Sequence, residues 1–278
     1  MDRSSFAGRA LSVVLSASLL GLFVLPLVAL VFFAGPGGLA FGFENAGFRT
    51  ALGFTLLTSA IAVGIGVVTG VPLGYLLARY RFRGKGLVQS IVSLPVVVPH
   101  LVVGIALLLL FAPTNPVGTY TASLGLPIFN GIWGVVLVMV YVGASYVVLT
   151  SEIAFRAVDP EVLEAARSLG ANPSEAFATV TLPAAARGIA TGALLMWARG
   201  ISEVGGFLIL AASVYPSLPW AGPVTQPASV WIYGYWQINP GDAAGASAVL
   251  VLVALLIFLG VRFFDRTGLG WLRGGGIT

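Results

Sequence analysis

Six long apolar stretches, separated by short clusters of basic residues, constrain this chain more than any other feature. They lie at 10–34, 50–78, 87–111, 131–151, 188–212 and 243–261. Each is long enough for a helix to cross a bilayer, which takes about 20 residues. In hydrocarbon every backbone N–H and C=O must be satisfied within the protein, so runs of this length imply helices. A soluble core does not need 58% hydrophobic residues, and membrane helices tolerate the 36 glycines and 16 prolines. The expectation is an all-α integral membrane protein, one transmembrane domain over residues 1–278. The first stretch is too long for the apolar core of a cleavable signal.

The basic residues orient it. Of the 14 Lys and Arg, Arg3 and Arg9 precede the first span, and Arg79, Arg81, Arg83 and Lys85 follow the second. Arg156, Arg167 and Arg187 follow the fourth, and Arg262, Arg266 and Arg273 follow the sixth. Only Arg49 lies opposite, and Arg199 falls inside a span. The positive-inside rule then puts both termini and the 156–187 loop in the cytoplasm of a multi-pass protein of the cell membrane. A net charge of +4, distributed this way, suits the lipid surface rather than nucleic acid. With no cysteine and one histidine, the chain offers no thiolate, no catalytic triad and no metal cluster. It has no GxxxxGK[ST] for binding ATP. No catalytic residue, metal or cofactor of its own is expected.

The loop RAVDPEVLEAARSLGANPSEAFATVTLPAAAR, 156–187, is unlike the rest of the chain. Asp159, Pro160 and Glu161 form a helix start, and Gly170 can turn left-handed to end it. Asn172-Pro173-Ser174-Glu175 repeats the start signal as a capping box, and Pro183 is expected to close the second segment. Val162, Ala165, Ala166 and Leu169 fall on one face of the first helix. Such a helix either sits in another protein's groove or lies on the membrane surface.

These residues carry a resemblance. Glu164-Ala165-Ala166, Gly170 and Val180-Thr181-Leu182-Pro183 resemble the cytoplasmic loop of binding-protein-dependent ABC importer permeases, with Val180 where isoleucine is usual. The Gly70-x-Pro72-Leu73-x-Tyr75-x-x-Ala78-Arg79 ending of span two is similar to the same family. Leu94-Pro95 and Pro99 match an LP-x-x-x-P segment of molybdate, tungstate and sulfate permeases. Ala198-Arg199, Glu203 and Gly205 match their A-R-x-x-x-E-x-G segment, with Val204 for the common Phe and Gly206 for the common Ala. The resemblance runs over 50–212 and implies the six-helix type I ABC importer permease fold. It implies that Asp159, Glu164, Ala165, Ala166, Gly170, Leu182 and Pro183 couple to an ATPase. It further implies a homodimer, two ATP-binding subunits carrying ATP and Mg, and an extracytoplasmic solute-binding protein. The solute would cross at the dimer interface by alternating access. Molybdate or tungstate fits the two segments best and sulfate is the nearest rival; phosphate, ferric iron and polyamine permeases share only the loop.

Candidates for the pathway or its gate are Thr55, Ser59, Pro95, Pro99, His100, Arg199 and Glu203. Thr55 and Ser59 share a face and either line a polar path or bond back to their own helix. Pro95 and Pro99 remove backbone donors and break or kink span three. His100 either bonds a freed carbonyl or touches the solute. Tyr141 and Ser145, one turn apart, either face the pathway or pack. Arg199 and Glu203 lie midway along span five, where a charge costs roughly 2.5–3.5 kcal/mol on insertion scales, so each needs a partner. At i and i+4 they can pair with each other. Arg199 then either helps an anion across, or the pair holds a gate closed, or it is purely structural. The aromatic and proline-rich stretch after Ala212 either meets the binding protein or anchors at the interface.

Two other classes fit less of the sequence. An ion-coupled secondary transporter would use Arg199 and Glu203 as a charge relay. It would show two similar halves, and no repeat is visible. An intramembrane enzyme needs a dyad, paired carboxylates or a metal cluster in the membrane, and none is present.

Overall fold

The computed structural model describes residues 3–215 and 218–268. Arg273, Gly274–276 in the tail and 216–217 of the stretch after Ala212 lie outside the described residues. Among the described residues the chain is helical, with one isolated bridge, Val214 to Thr225, and no strand. It forms two compact units. One takes the chain up to Arg49 with Trp231–Val253; the other takes Thr50–Val230 with the chain from Ala254 on.

In the first unit, α1 (Arg3–Glu44) contains a break at Gly35, whose φ is 61°. Pro36 explains it: proline has no N–H to give and disfavours helix at the residue before it, and glycine accepts positive φ without strain. Beyond the break, α1 meets the start of α12 (Pro240–Gly268) backbone to backbone. A Cβ at Gly38 would lie 2.6 Å from the Gly241 carbonyl oxygen, and one at Gly42 would lie 2.7 Å from that of Gly245. Small residues at a crossing are how helices associate where lipid removes the hydrophobic drive. Phe41, Phe48, Trp231 and Tyr235 pack as a cluster, with Trp231 and Tyr235 stacked at 4.5 Å. From Leu11 to Phe33, α1 is almost wholly exposed and predominantly apolar, as a helix surrounded by lipid would be.

The second unit is built on α6 (Ile132–Arg156), which buries Val135, Val138, Met139, Val142 and Val147. Against it lies α9 (Leu182–Ile201), where Gly188 and Gly192 approach Ala154 and Thr150. On another side α2 (Ala46–Arg79) brings Gly70 and Gly74 onto Val147, Val148 and Ser151.

Among the described residues five helices are long and apolar enough to cross a membrane, and a bent pair makes a sixth span if its two helices count as one. α3 (Lys85–Val97) and α4 (His100–Phe111) meet at 113°. The break falls at Val98-Pro99, where Val98 is extended before the proline. Pro95 stays inside α3 and does not end it. Span five departs further from the sequence reading. Pro183 does not close a segment; it occupies the first turn of α9, where a missing N–H costs nothing. α9 stops at Ile201, and a separate short helix, α10 (Gly205–Leu210), follows. Span four is followed by α7 (Pro160–Ser168), α8 (Pro173–Ala176) and a π turn, Phe177–Thr181, leading into α9.

Candidate gate and docking loop

The 156–187 loop is held in shape by its own caps. Asp159 accepts the Glu161 N–H at 2.9 Å, and Gly170 takes φ 96° to end α7. Asn172 and Glu175 close their capping box with two 2.9 Å bonds. α7 has no buried residue. Glu164 and Ala165 are exposed and Ala166 is half-buried; Leu182 is exposed and Pro183 half-buried. Leu169 is 90% exposed and Val162 53%. The loop thus displays an apolar stripe that its own chain does not cover.

The two helix breaks come together. A Cβ at Gly205 would lie 2.9 Å from the Cβ of His100, and one at Gly104 would lie 3.0 Å from the Cα of Gly206. α4 and α10 therefore touch along their backbones, starting at their first residues. Into this junction point three side chains. Arg199 Nη1 donates to Glu203 Oε2 at 2.9 Å, Arg199 Nη2 lies 2.6 Å from His100 Nε2, and His100 Nδ1 lies 3.0 Å from Glu203 Oε2. Guanidinium has only donors, so His100 Nε2 accepts. Its proton then sits on Nδ1, directed at Glu203. The ring of three closes with each of its three contacts pairing a donor with an acceptor.

Glu203 is the hub. It is fully buried, and its other oxygen accepts the Gly206 N–H at 2.7 Å, capping α10. Its backbone carbonyl accepts from Ser229 Oγ. The sequence shows why the helix stops here: a glutamate that bonds the amide three residues ahead caps a new helix, and Gly205-Gly206 lets α4 approach. Arg199 is neutralised by this carboxylate and is 16% exposed by side chain, whereas that of His100 is 47% exposed. In this conformation the cation is spent on its neighbours. The arrangement locks two broken helices together rather than presenting a free positive site.

Other candidates fall elsewhere. His100 bonds no freed carbonyl; it faces Arg199 and Glu203. Thr55 and Ser59 are buried and bond back to Ala51 and Leu56. Each also serves a neighbour: Thr55 Oγ1 accepts the Ala228 N–H at 2.8 Å, and Ser59 accepts Trp197 Nε1 at 3.1 Å. Pro95, Tyr141 and Ser145 border a small apolar cavity of about 250 Å³, and Ser145 donates to the Val92 carbonyl. Sequence reasoning missed the buried Glu152, which accepts from Gln89 at 2.7 Å and from Arg156. Its i,i+4 spacing to Arg156 was the available signal. No group of three His, Cys, Asp or Glu among the described residues is placed to hold a metal.

Comparison with known proteins places this geometry. Residues 70–267 match the family described as the binding-protein-dependent transport system inner membrane component. The molybdate/tungstate transport system permease protein WtpB of Pyrococcus furiosus is 37% identical over 216 residues, 77% of each chain. A probable molybdenum ABC transporter permease of Haloferax volcanii is 35% identical over 249 residues, 90% of this chain and 87% of its own. In structure, the chain superimposes on a permease of a bacterial alginate ABC transporter with a TM-score of 0.68, covering 94% of this chain and 95% of that one at 18% identity. The fold is that of type I ABC importer permeases, and this chain belongs to the inner membrane components of binding-protein-dependent transport systems, multi-pass ABC importer permeases of the plasma membrane.

Proposed function

We propose that this chain imports molybdate or tungstate by alternating access, driven by ATP hydrolysis on a separate subunit. It would work as a homodimer, one transmembrane domain per chain, with two ATP-binding subunits and an extracytoplasmic solute-binding protein. The observation that carries this reading is the loop between α6 and α9: a capped helix, outside the spans, whose apolar stripe is uncovered. An ATP-hydrolysing partner supplies the groove such a helix needs. Asp159 and Gly170 fix its ends; Glu164, Ala165, Ala166, Leu182 and Pro183 form the docking surface and its exit. The basic residues that flank the spans put this loop and both termini in the cytoplasm.

The names of the two relatives support the oxyanion, and the alginate transporter crystallised with its periplasmic protein supports a binding protein as solute donor. At the centre, His100, Arg199 and Glu203 act as a gate. Closed, the ring pins α4 to α10; opening it frees Arg199 and His100 toward a passing anion while Glu203 stays anchored by the Gly206 N–H. Pro99 supplies the hinge, and Pro95 helps shape the approach to it. ATP-driven uptake of labelled molybdate, tungstate and sulfate by the reconstituted system tests the reading. Uptake of the first two, unaffected by excess sulfate, is expected. Uptake of sulfate in their place would change the solute, and no ATP-driven uptake of any oxyanion would refute the reading.

A further inference from the structure

The 156–187 loop is covalently continuous with α6 and α9, so any push on α7 reaches those two helices through the chain itself. α2 has no such connection. Two side chains near its C-terminal end reach the loop and its flanks directly. Besides its neighbour Tyr80, Tyr75 sits edge-on to two rings from beyond α2, Phe155 at 5.1 Å and 81° and Phe177 at 4.9 Å and 73°. Phe155 lies in the last turn of α6 and is fully buried, and Phe177 opens the π turn after α8. Phe155 and Phe177 are themselves 6.2 Å apart, so the three rings form a triangle. One turn further on, Arg79 donates from Nη2 to the Val158 carbonyl at 3.3 Å. α2 thus grips the loop just before α7 and just after α8, on either side of the helix that displays the docking stripe.

Beside the triangle the packing is open. A largely apolar cavity of about 650 Å³ separates α2 from the start of α9, lined by Val67, Val71, Pro72, Leu182 and Ile189, with Tyr75 and Phe177 at its edge. Along this flank the ring contacts bridge a gap that ordinary helix packing does not fill. Dispersion and edge-to-face attraction fall off within about an ångström of extra separation, so the bridge transmits displacement only while the rings stay in place.

We propose that Tyr75, seated between Phe155 and Phe177, and Arg79, bound to Val158, are positioning residues that carry movement of the docking loop into α2. This rests on the docking-loop reading above. Without them α2 is tied to the moving helices only by the packing of Gly70 and Gly74 on α6, so its C-terminal end lags the loop and ATP is hydrolysed without completing the transport cycle.

The test uses the full transporter, with cysteine-free ATP-hydrolysing subunits and its binding protein in liposomes, reading molybdate taken up per ATP hydrolysed. Tyr75→Ala is expected to assemble with the ATPase and hydrolyse ATP, while the ratio falls about tenfold, the scale set by losing two aromatic contacts. Tyr75→Phe keeps the ring and is expected to keep the wild-type ratio. The chain has no cysteine of its own, so Tyr75→Cys with Phe177→Cys can be bridged by a short bifunctional thiol reagent. The pair is expected to be uncoupled before bridging and recoupled after it. The inference is overturned by an unchanged ratio in Tyr75→Ala, by uptake and hydrolysis falling in proportion, or by a verified bridge that restores nothing. Should wild-type protein show no ATP-driven uptake, the docking reading itself fails, which separates the two.

Discussion

Glu203→Ala removes the hub of the junction. The carboxylate is fully buried and accepts from Arg199, His100 and the Gly206 N–H. Removing one partner of a buried ion pair costs roughly 3–5 kcal/mol, because the other charge is left without compensation. The orphaned Gly206 N–H adds about 1 kcal/mol. Arg199 is slightly exposed and can swing toward water, which places the total near the low end, about 4 kcal/mol. For a chain of this size that is a drop in melting temperature of about 8–16 °C. Replacing both charges tests the origin of the loss. Arg199→Met with Glu203→Met leaves no buried charge, and buried pairs exchanged for well-packed apolar groups cost little. The double variant should therefore melt closer to wild type than Glu203→Ala does, yet fail to transport. The assay is thermal unfolding of the purified permease in detergent beside uptake in liposomes. If Glu203→Ala melts within about 2 °C of wild type, or the double variant falls by the sum of both single losses, the ring is not a coupled unit.

Gly104→Val puts branched carbons where a single Cβ would already lie 2.8 Å from Ile209 Cβ and 3.0 Å from Gly206 Cα. Pushing α4 off α10 should cost about 1–3 kcal/mol and depress uptake, read by the same melting and uptake assays. Gly170→Pro cannot adopt the φ of 96° that ends α7, and should leave the chain inserted while ATP hydrolysis and uptake separate; normal coupled uptake would remove the docking helix from the mechanism. Thr55→Val deprives the buried Ala228 N–H of its acceptor and should cost about 1–3 kcal/mol of stability without changing solute preference.

How much of this was legible in the sequence depends on the range of the interaction that decides it. The spans follow from apolar run length, and the caps of the loop follow from residues within three positions of one another: Asp159 with Glu161, Asn172 with Glu175. Those are local bonds, and the chain spells them out. Pro183 misled because proline both ends helices and begins them, and the preceding π turn decided which. His100 stands alone in the sequence because its partners lie about a hundred residues on. A pattern search sees Pro99-His100 as a kink and Arg199/Glu203 as a pair, and nothing local says that both spans break at the same place. One reading of the glycines comes close: Gly104 on one side and Gly205-Gly206 on the other are residues that let two backbones touch. A histidine starting one broken helix and a glutamate capping the other are then brought together by that contact, and a buried carboxylate without two donors would have been too costly to keep there. The charge pattern of span five left room for a third partner, and the glycines of both breaks are where the two backbones approach closely enough to bring it.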